Sequence, residues 1–414
     1  MMVDLRSRST GQRLPENPKP APRPAARPFR LAGHLPALDG VRGLAILAVL
    51  LFHFVAQTTS TNSFEHVVNK VLNYGSLGVD LFFVLSGFLI TGILYDSQSS
   101  PHYFRNFYMR RVLRIFPLYY LVLAVIFLAL PLVPALRDTQ LVSLREHQSW
   151  AWLYAVNIYL SLKGAWVLSY IEHFWSLAVE EHFYLVWPFV VWLLAARPRV
   201  LLKAALMVAA VSFAGRVLAS AAGASLVTTT VLTPFQLDAL CLGAFFAVWL
   251  RQPGGEAAVR RALVPLAVGS LLVAGLTYAA HLFTDAGRSV SEPVRGGAFR
   301  VLFAILLIWA LFAPAASLGS RFFGGRLMTV LGKYSYGLYV YHHFFSYFMM
   351  RHGTEFALAR LVGSHTLAVW LQAAAGIALS MAVAWASYEW FEKRFLDLKR
   401  YWPTVSETGR SKAD

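Results

Sequence analysis

Sulfur chemistry is almost missing from this chain: one cysteine, Cys241, stands in 414 residues, so neither a disulfide framework nor a cysteine-based metal site can be built. Charge is scarce as well. Only 14% of the residues are charged, against about 25% in an ordinary soluble domain, and that excludes a water-facing surface for most of the chain. Acid is the rarer sign, 21 residues against 37 basic ones, for a net charge of +16. The basic residues are scattered between apolar runs instead of forming a stripe, so nucleic acid is not an expected partner. Residues 1–34 lack any apolar run; rich in Arg, Pro and Ala, they read as a disordered basic cytoplasmic tail and not as a cleavable signal peptide. No internal repeat is visible, no metal-ligand spacing is legible, and residues 398–414 read as a short polar tail.

What is present is apolar length. Hydrophobic residues make up 57% of the chain, and 12 Trp with 18 Tyr supply rings suited to the lipid interface. A helix needs about 20 mostly apolar residues to cross the hydrocarbon of a bilayer. Ten such windows occur, near 41–56, 77–95, 112–134, 173–195, 200–222, 229–250, 262–283, 298–316, 327–349 and 366–391. The expected fold class is therefore all-α, a polytopic integral membrane protein of about ten transmembrane helices in one bundle. An even count puts both termini on one side. Alternate connections carry the Lys/Arg excess, among them Arg105, Arg110 and Arg111, then Arg197, Arg199 and Lys203, which makes that side the cytoplasm. The longest segment on the other side, 135–172, holds Trp150, Trp152 and Tyr154, suited to an interfacial element or a cavity mouth.

Ionisable residues inside spans are costly, so they mark polar cavities or partners. Here they are Arg42, His53, Asp80, Arg114, Glu180, Glu181, Arg216, Asp238, Lys333, His342 and His343. Arg42 and His53 lie eleven residues apart, about three turns and roughly 16 Å along one face of the first helix. A snorkelling Arg and a core His would give the same pattern. Glu180, Glu181 and His182 open the fourth span, with Tyr184 on the face of Glu180; a carboxylate there can orient an imidazole, or pair structurally with a residue such as Arg216. Arg110, Arg111 and Arg114 are topology signals that are also suited to phosphate oxygens. Asp80 near a helix start reads most simply as capping, and Asp238 reads equally as lining or as a structural partner.

The order of short blocks resembles the membrane-bound acyltransferase 3 family, which includes bacterial O-antigen and other polysaccharide O-acetyltransferases, Nod-factor acetylases and macrolide acyltransferases. The blocks are Leu38-Asp39-Gly40-Val41-Arg42-Gly43 followed by His53; Gly78-Val79-Asp80-Leu81-Phe82-Phe83-Val84; Arg110-Arg111-Val112-Leu113-Arg114; Trp175-Ser176-Leu177 with Glu180-Glu181; and Gly332-Lys333-Tyr334-Ser335-Tyr336 with Tyr339 and His342. They assign residues 35–397 to one acyltransferase transmembrane domain. Gln236 and His182 stand where the family often has Arg and Gln.

The resemblance implies an O-acetyltransferase, an enzyme that transfers acyl groups other than amino-acyl groups, with no permanently bound cofactor and acetyl-CoA or another acyl-CoA as co-substrate. His53 is the implied catalytic residue, Arg42 its partner and Glu180 the acid of the fourth block. Arg110, Arg111 and Arg114 lie on the acyl-CoA side, and Asp80, Tyr184, Asp238 and His342 are further cavity candidates. In this reading neutral His53 takes the proton of an acceptor hydroxyl, with Glu180 or Asp80 orienting or balancing the imidazolium. The expected acceptor is a glycan, a lipid-linked sugar or a macrolide-like molecule, and the expected location a bacterial inner membrane. A proton-coupled transporter, which also places acids and histidines in mid-membrane, is the alternative.

Overall fold

Apolar runs have one inexpensive solution in hydrocarbon, the helix, because each backbone N–H and C=O is then paired within its own segment. The computed structural model describes Phe29 and residues 35–132, 139–283, 288–314 and 316–403, and among these residues there are helices and no strands. The expectations for the other residues up to 34 and for 404–414 fall outside the described residues.

Ten principal helices follow the ten windows: α1 (Pro36–Leu51), α2 (Gly78–Asp96), α3 (Tyr103–Ala124), α4 (Phe174–Leu194), α5 (Pro198–Ala221), α6 (Leu237–Trp249), α7 (Gly255–Phe283), α8 (Arg288–Phe312), α9 (Arg326–Arg351) and α10 (His365–Ser387). Among the described residues, eight helical stretches are long and apolar enough to cross a membrane; α6 and α9 are the two principal helices that do not meet that measure. The protein is an all-α, polytopic membrane protein. In α9 the reason is polarity, from Lys333, His342 and His343. In α6 the reason is length, and the window read as one span over 229–250 is corrected to two pieces. Leu226–Val231 forms a separate helix, Leu232 turns extended, and Pro234, which has no N–H to donate, starts a short 3-10 turn before α6 begins.

Lipid faces the outside of the bundle. Leu185, Phe189 and Trp192 of α4 and Met207, Val211 and Leu218 of α5 are exposed apolar side chains that water would penalise and acyl chains accept. Inside, helices approach closely where glycine permits it. A Cβ on Gly87 of α2 would fall on the backbone carbonyl of Leu240 in α6, and one on Gly243 would fall on that of Val84. Gly332 of α9 meets Asp39 of α1 in the same way. Gly87→Val is expected to force α2 and α6 apart at a cost of about 3 kcal/mol or more, since the obstacle is backbone and cannot yield. The check is the melting temperature and yield of the purified protein in detergent.

Part of segment 135–172 packs on α3, while its Trp166 and Glu172 line a large cavity in the bundle. Tyr119 donates to the Ala151 carbonyl at 2.7 Å, and the Tyr154 ring stacks on Tyr119 with centroids 4.1 Å apart. Trp150, Trp152 and Tyr154 line neither of the two large cavities in the bundle.

Candidate active site

α1 does not end as a regular helix. Over Phe52–Ala56 it widens into a π turn, and His53 sits in that turn. π turns interrupt the helical register and often occur at functional positions. The His53 Nδ1 lies 3.0 Å from the Val49 carbonyl and 3.3 Å from His342 Nε2. A carbonyl only accepts, so Nδ1 carries the proton and Nε2 is left as the basic nitrogen. His342 is fixed in the same way: its Nδ1 donates to the carbonyls of Tyr339 at 2.8 Å and Leu338 at 3.1 Å, leaving Nε2 to accept from His53. His342 is fully buried beside His53 and is not on the lining of the cavity that His53 opens on, so its contact with that cavity runs through the His53 ring.

Two more imidazoles complete the cluster. His343 Nε2 donates to the Ser169 carbonyl at 3.1 Å, and His173 Nε2 donates to the Val340 carbonyl at 3.0 Å. Their Nδ1 atoms are buried and have no hydrogen-bond partner among the described residues. The ligating nitrogens of His53, His342 and His343 lie within 4.8 Å of one another. A metal at about 2.0–2.1 Å from each would require them to draw in. Nearby Glu172, just ahead of α4, accepts from the N–H groups of Leu168 and Ser169 at 3.1 Å each, while burial holds its carboxyl up at about 7.

His53, His173, His343 and Glu172 open on a cavity of about 1050 Å³. Asp80, Arg216 and Arg300 line it as well, with the aromatic rings of Trp166, Trp175 and Tyr278. Arg42 and Glu180 are not there. They line a second cavity of about 230 Å³, together with Arg111, Arg114, Glu181, Tyr184 and Ser86. Eleven residues of helix are enough to put Arg42 and His53 in different chambers. Glu180 therefore faces the hydroxyls of Tyr184 and Ser86 and not the His53 ring. Asp80 does not balance His53 either, because it accepts from Arg300 Nε at 2.7 Å.

The three arginines of α3 divide. Arg111 and Arg114 line the Glu180 cavity. Arg110 donates to the carbonyls of Trp402 at 3.0 Å and Lys399 at 3.4 Å, so residues 398–403 fold back over the start of α3. Arg110 and Arg111 line a small hollow that has Ile93 and Arg111 in common with the Glu180 cavity.

Asp238 is buried and lines neither cavity. It accepts from Arg216 at 2.8 Å and from Arg300, which also binds Asp80 and Gln236. Arg216 thus pairs with Asp238 and not with Glu180. Arg300, His173 and Glu172 escaped the sequence reading. Arg300 left a signal, a charge inside the apolar window 298–316, whereas His173 and Glu172 sit at a span edge where polar residues are ordinary.

A sequence model described as an acyltransferase domain, Acyl_transf_3, matches residues 35–389. The chain belongs to the acyltransferase 3 family. Curated relatives include the O-acetyltransferase OatA of Staphylococcus aureus, 28% identical over 323 residues that make up 75% of this chain and 50% of the relative. The peptidoglycan O-acetyltransferase OatA of Listeria monocytogenes is 27% identical over 328 residues, 75% of this chain and 49% of its own. The putative peptidoglycan O-acetyltransferase YrhL of Bacillus subtilis is 29% identical over 327 residues, 75% and 48% of the two chains. This chain spans about half the length of these relatives. No solved structure matches it. The family match covers both cavities, so His53 and Glu180 lie inside the domain that defines the family.

Proposed function

We propose that the protein is a membrane O-acetyltransferase that moves an acetyl group from acetyl-CoA to a hydroxyl of a cell-envelope carbohydrate. It would act in a bacterial inner membrane, with both termini and the Arg111 end in the cytoplasm. The observation that carries the reading is a pair of neighbouring cavities, one lined by Arg111 and Arg114 and the other by the oriented imidazole of His53.

The chemistry follows from the groups on each side. Arg111 and Arg114 offer guanidinium forks to the phosphates of CoA, a match of geometry as well as charge. Arg114 also lies over the Tyr336 ring, with its guanidinium carbon 5.9 Å from the ring centroid, which fixes its direction. In the larger chamber the acceptor hydroxyl gives its proton to His53 Nε2 as its oxygen attacks the thioester carbonyl. The C–S bond then breaks, and the thiolate of CoA takes the proton from the imidazolium. A neutral base is suited to this site because it enters the membrane uncharged. The acceptor class is supported by the chamber itself: about 1050 Å³ is at the upper end of small-molecule sites, and Trp and Tyr rings suit the apolar faces of sugars. The relatives named as peptidoglycan O-acetyltransferases support the same class.

The test is acceptor-dependent release of CoA thiol by membranes supplied with acetyl-CoA and cell-wall glycan fragments. Arg111→Ala with Arg114→Ala is expected to raise the KM for acetyl-CoA by about a hundredfold or more, because each lost charge-assisted bond is worth about 1.5–3 kcal/mol. If the wild-type protein releases no thiol from any acyl-CoA in the presence of glycan or lipid-linked sugar, the reading fails.

A further inference from the structure

Among the described residues, the two chambers share two lining side chains. Val79 of α2 and Tyr339 of α9 line both the His53 cavity and the Glu180 cavity. The cavity lined by Arg111 and Arg114 and the cavity lined by His53 are thus neighbours across these two side chains. The acyl-transfer reading requires a thioester held on one side to meet an imidazole held on the other, so something at the partition has to move.

Tyr339 is built for two positions. Its hydroxyl donates to the His173 carbonyl at 3.0 Å and accepts from Ser176 Oγ at 2.5 Å, and Ser176 Oγ itself lies 3.2 Å from the same carbonyl. When Tyr339 leaves, the Ser176 hydroxyl can turn its one proton to that carbonyl. The ring makes only edge and tilted contacts, 6.2 Å from Phe82, 5.7 Å from His173 and 5.5 Å from His342 between centroids. It is not stacked or salt-bridged, and empty volume lies on both sides of it. A rotation about two side-chain bonds would open the partition without displacing a helix.

We propose that Tyr339 and Val79 form the gate through which the acyl end of the donor reaches His53, and that its narrow bore selects acyl groups of small cross-section such as acetyl. Closed, it keeps the thioester away from water in the larger chamber. Open, it lets the pantetheine arm carry the acyl carbon through while the nucleotide stays at the arginines. This rests on the acyl-transfer reading, and the experiment separates the two. If wild-type protein shows no acyl-CoA-dependent transfer, that reading fails; if it does, the variants judge the gate.

Val79→Trp should plug the partition. CoA binding, measured by calorimetry on the purified full-length protein, is expected within about threefold of wild type, because the phosphates are held elsewhere. Transfer should fall by a factor of about 100 or more. Tyr339→Ala should do the reverse: acetyl-CoA hydrolysis without acceptor rises at least tenfold, and branched isobutyryl-CoA becomes a donor. Transfer by Val79→Trp within threefold of wild type overturns the gate. So does a folded Tyr339→Ala protein, verified by its melting curve and CoA binding, that neither hydrolyses acetyl-CoA faster nor accepts the branched donor. Because Tyr339→Ala only removes atoms, it decides the question even where the larger Trp does not fold.

Discussion

His53→Ala is expected to lower acceptor-dependent acetyl transfer by two to four orders of magnitude, about the full contribution of a positioned general base, with protein level unchanged. The structure makes the expectation specific. His53 sits in the π turn at the end of α1, with Nδ1–H directed at the Val49 carbonyl and His342, so Nε2 is the nitrogen able to accept a proton. A glutamine at 53 can keep a hydrogen bond but has no comparable basicity, so His53→Gln should fall nearly as far. His342→Phe should do much less. It deletes the second acceptor of the Nδ1–H, and one neutral hydrogen bond is worth about 1 kcal/mol, roughly a fivefold change in rate. The Val49 carbonyl would still hold the ring. The measurement is CoA thiol release against acetyl-CoA concentration, with membrane protein quantified in parallel. Equal rates in wild type and His53→Ala would leave His53 a structural residue and remove the base from the mechanism.

The second large effect is on stability and lies at Arg300. Its guanidinium joins Asp80 of α2 to Asp238 and Gln236 beside α6, while Arg216 of α5 closes the network on Asp238. Side chains of Arg300 and Asp238 are only 5% and 4% exposed, so water in the cavity that Arg300 lines is a poor replacement for a lost partner. Arg300→Leu leaves Asp80 without this cation and Asp238 with one partner in place of two. Removing one member of a buried ion network costs about 3–5 kcal/mol, because the other charge stays buried. The melting temperature in detergent and the yield from membranes should both fall sharply. Arg260→Ala is the contrasting case: its pair with Glu256 is one turn apart and both side chains are about half exposed, at 48% and 51%, so losing that pair and the contact of its guanidinium with the Phe312 ring, 4.3 Å from the centroid, should together cost about 1 kcal/mol. If Arg300→Leu melts with the wild type, the network is not what holds α2, α6 and α8 together.

Such networks also explain which readings from sequence needed revision. Asp80 looked like a helix-capping acid because only its own helix is visible in sequence. Its actual partner, Arg300, is 220 residues away. Arg216 was a plausible partner for Glu180 by charge alone. In the fold it faces Asp238 across the α5–α6 contact, where the Asp238 backbone N–H also donates to Ser212 Oγ at 3.1 Å.

Hydrophobic run length fixed the fold class and nearly all of the helices, because hydrocarbon accepts little but helix and sets its length. Block order fixed the family and picked out His53, Arg42, Glu180 and the arginines of α3, since chemistry inside a membrane must use residues that are costly there. Sequence could not tell which of these residues meet. Arg42 and His53 share a helix face, yet three turns of rise carry them into separate chambers; His342 and His53 lie 289 positions apart and share a hydrogen bond. Spacing within one helix is local geometry and can be counted. Contact between helices depends on where glycines such as Gly87 and Gly332 let backbones close in, and that only the packed structure decides.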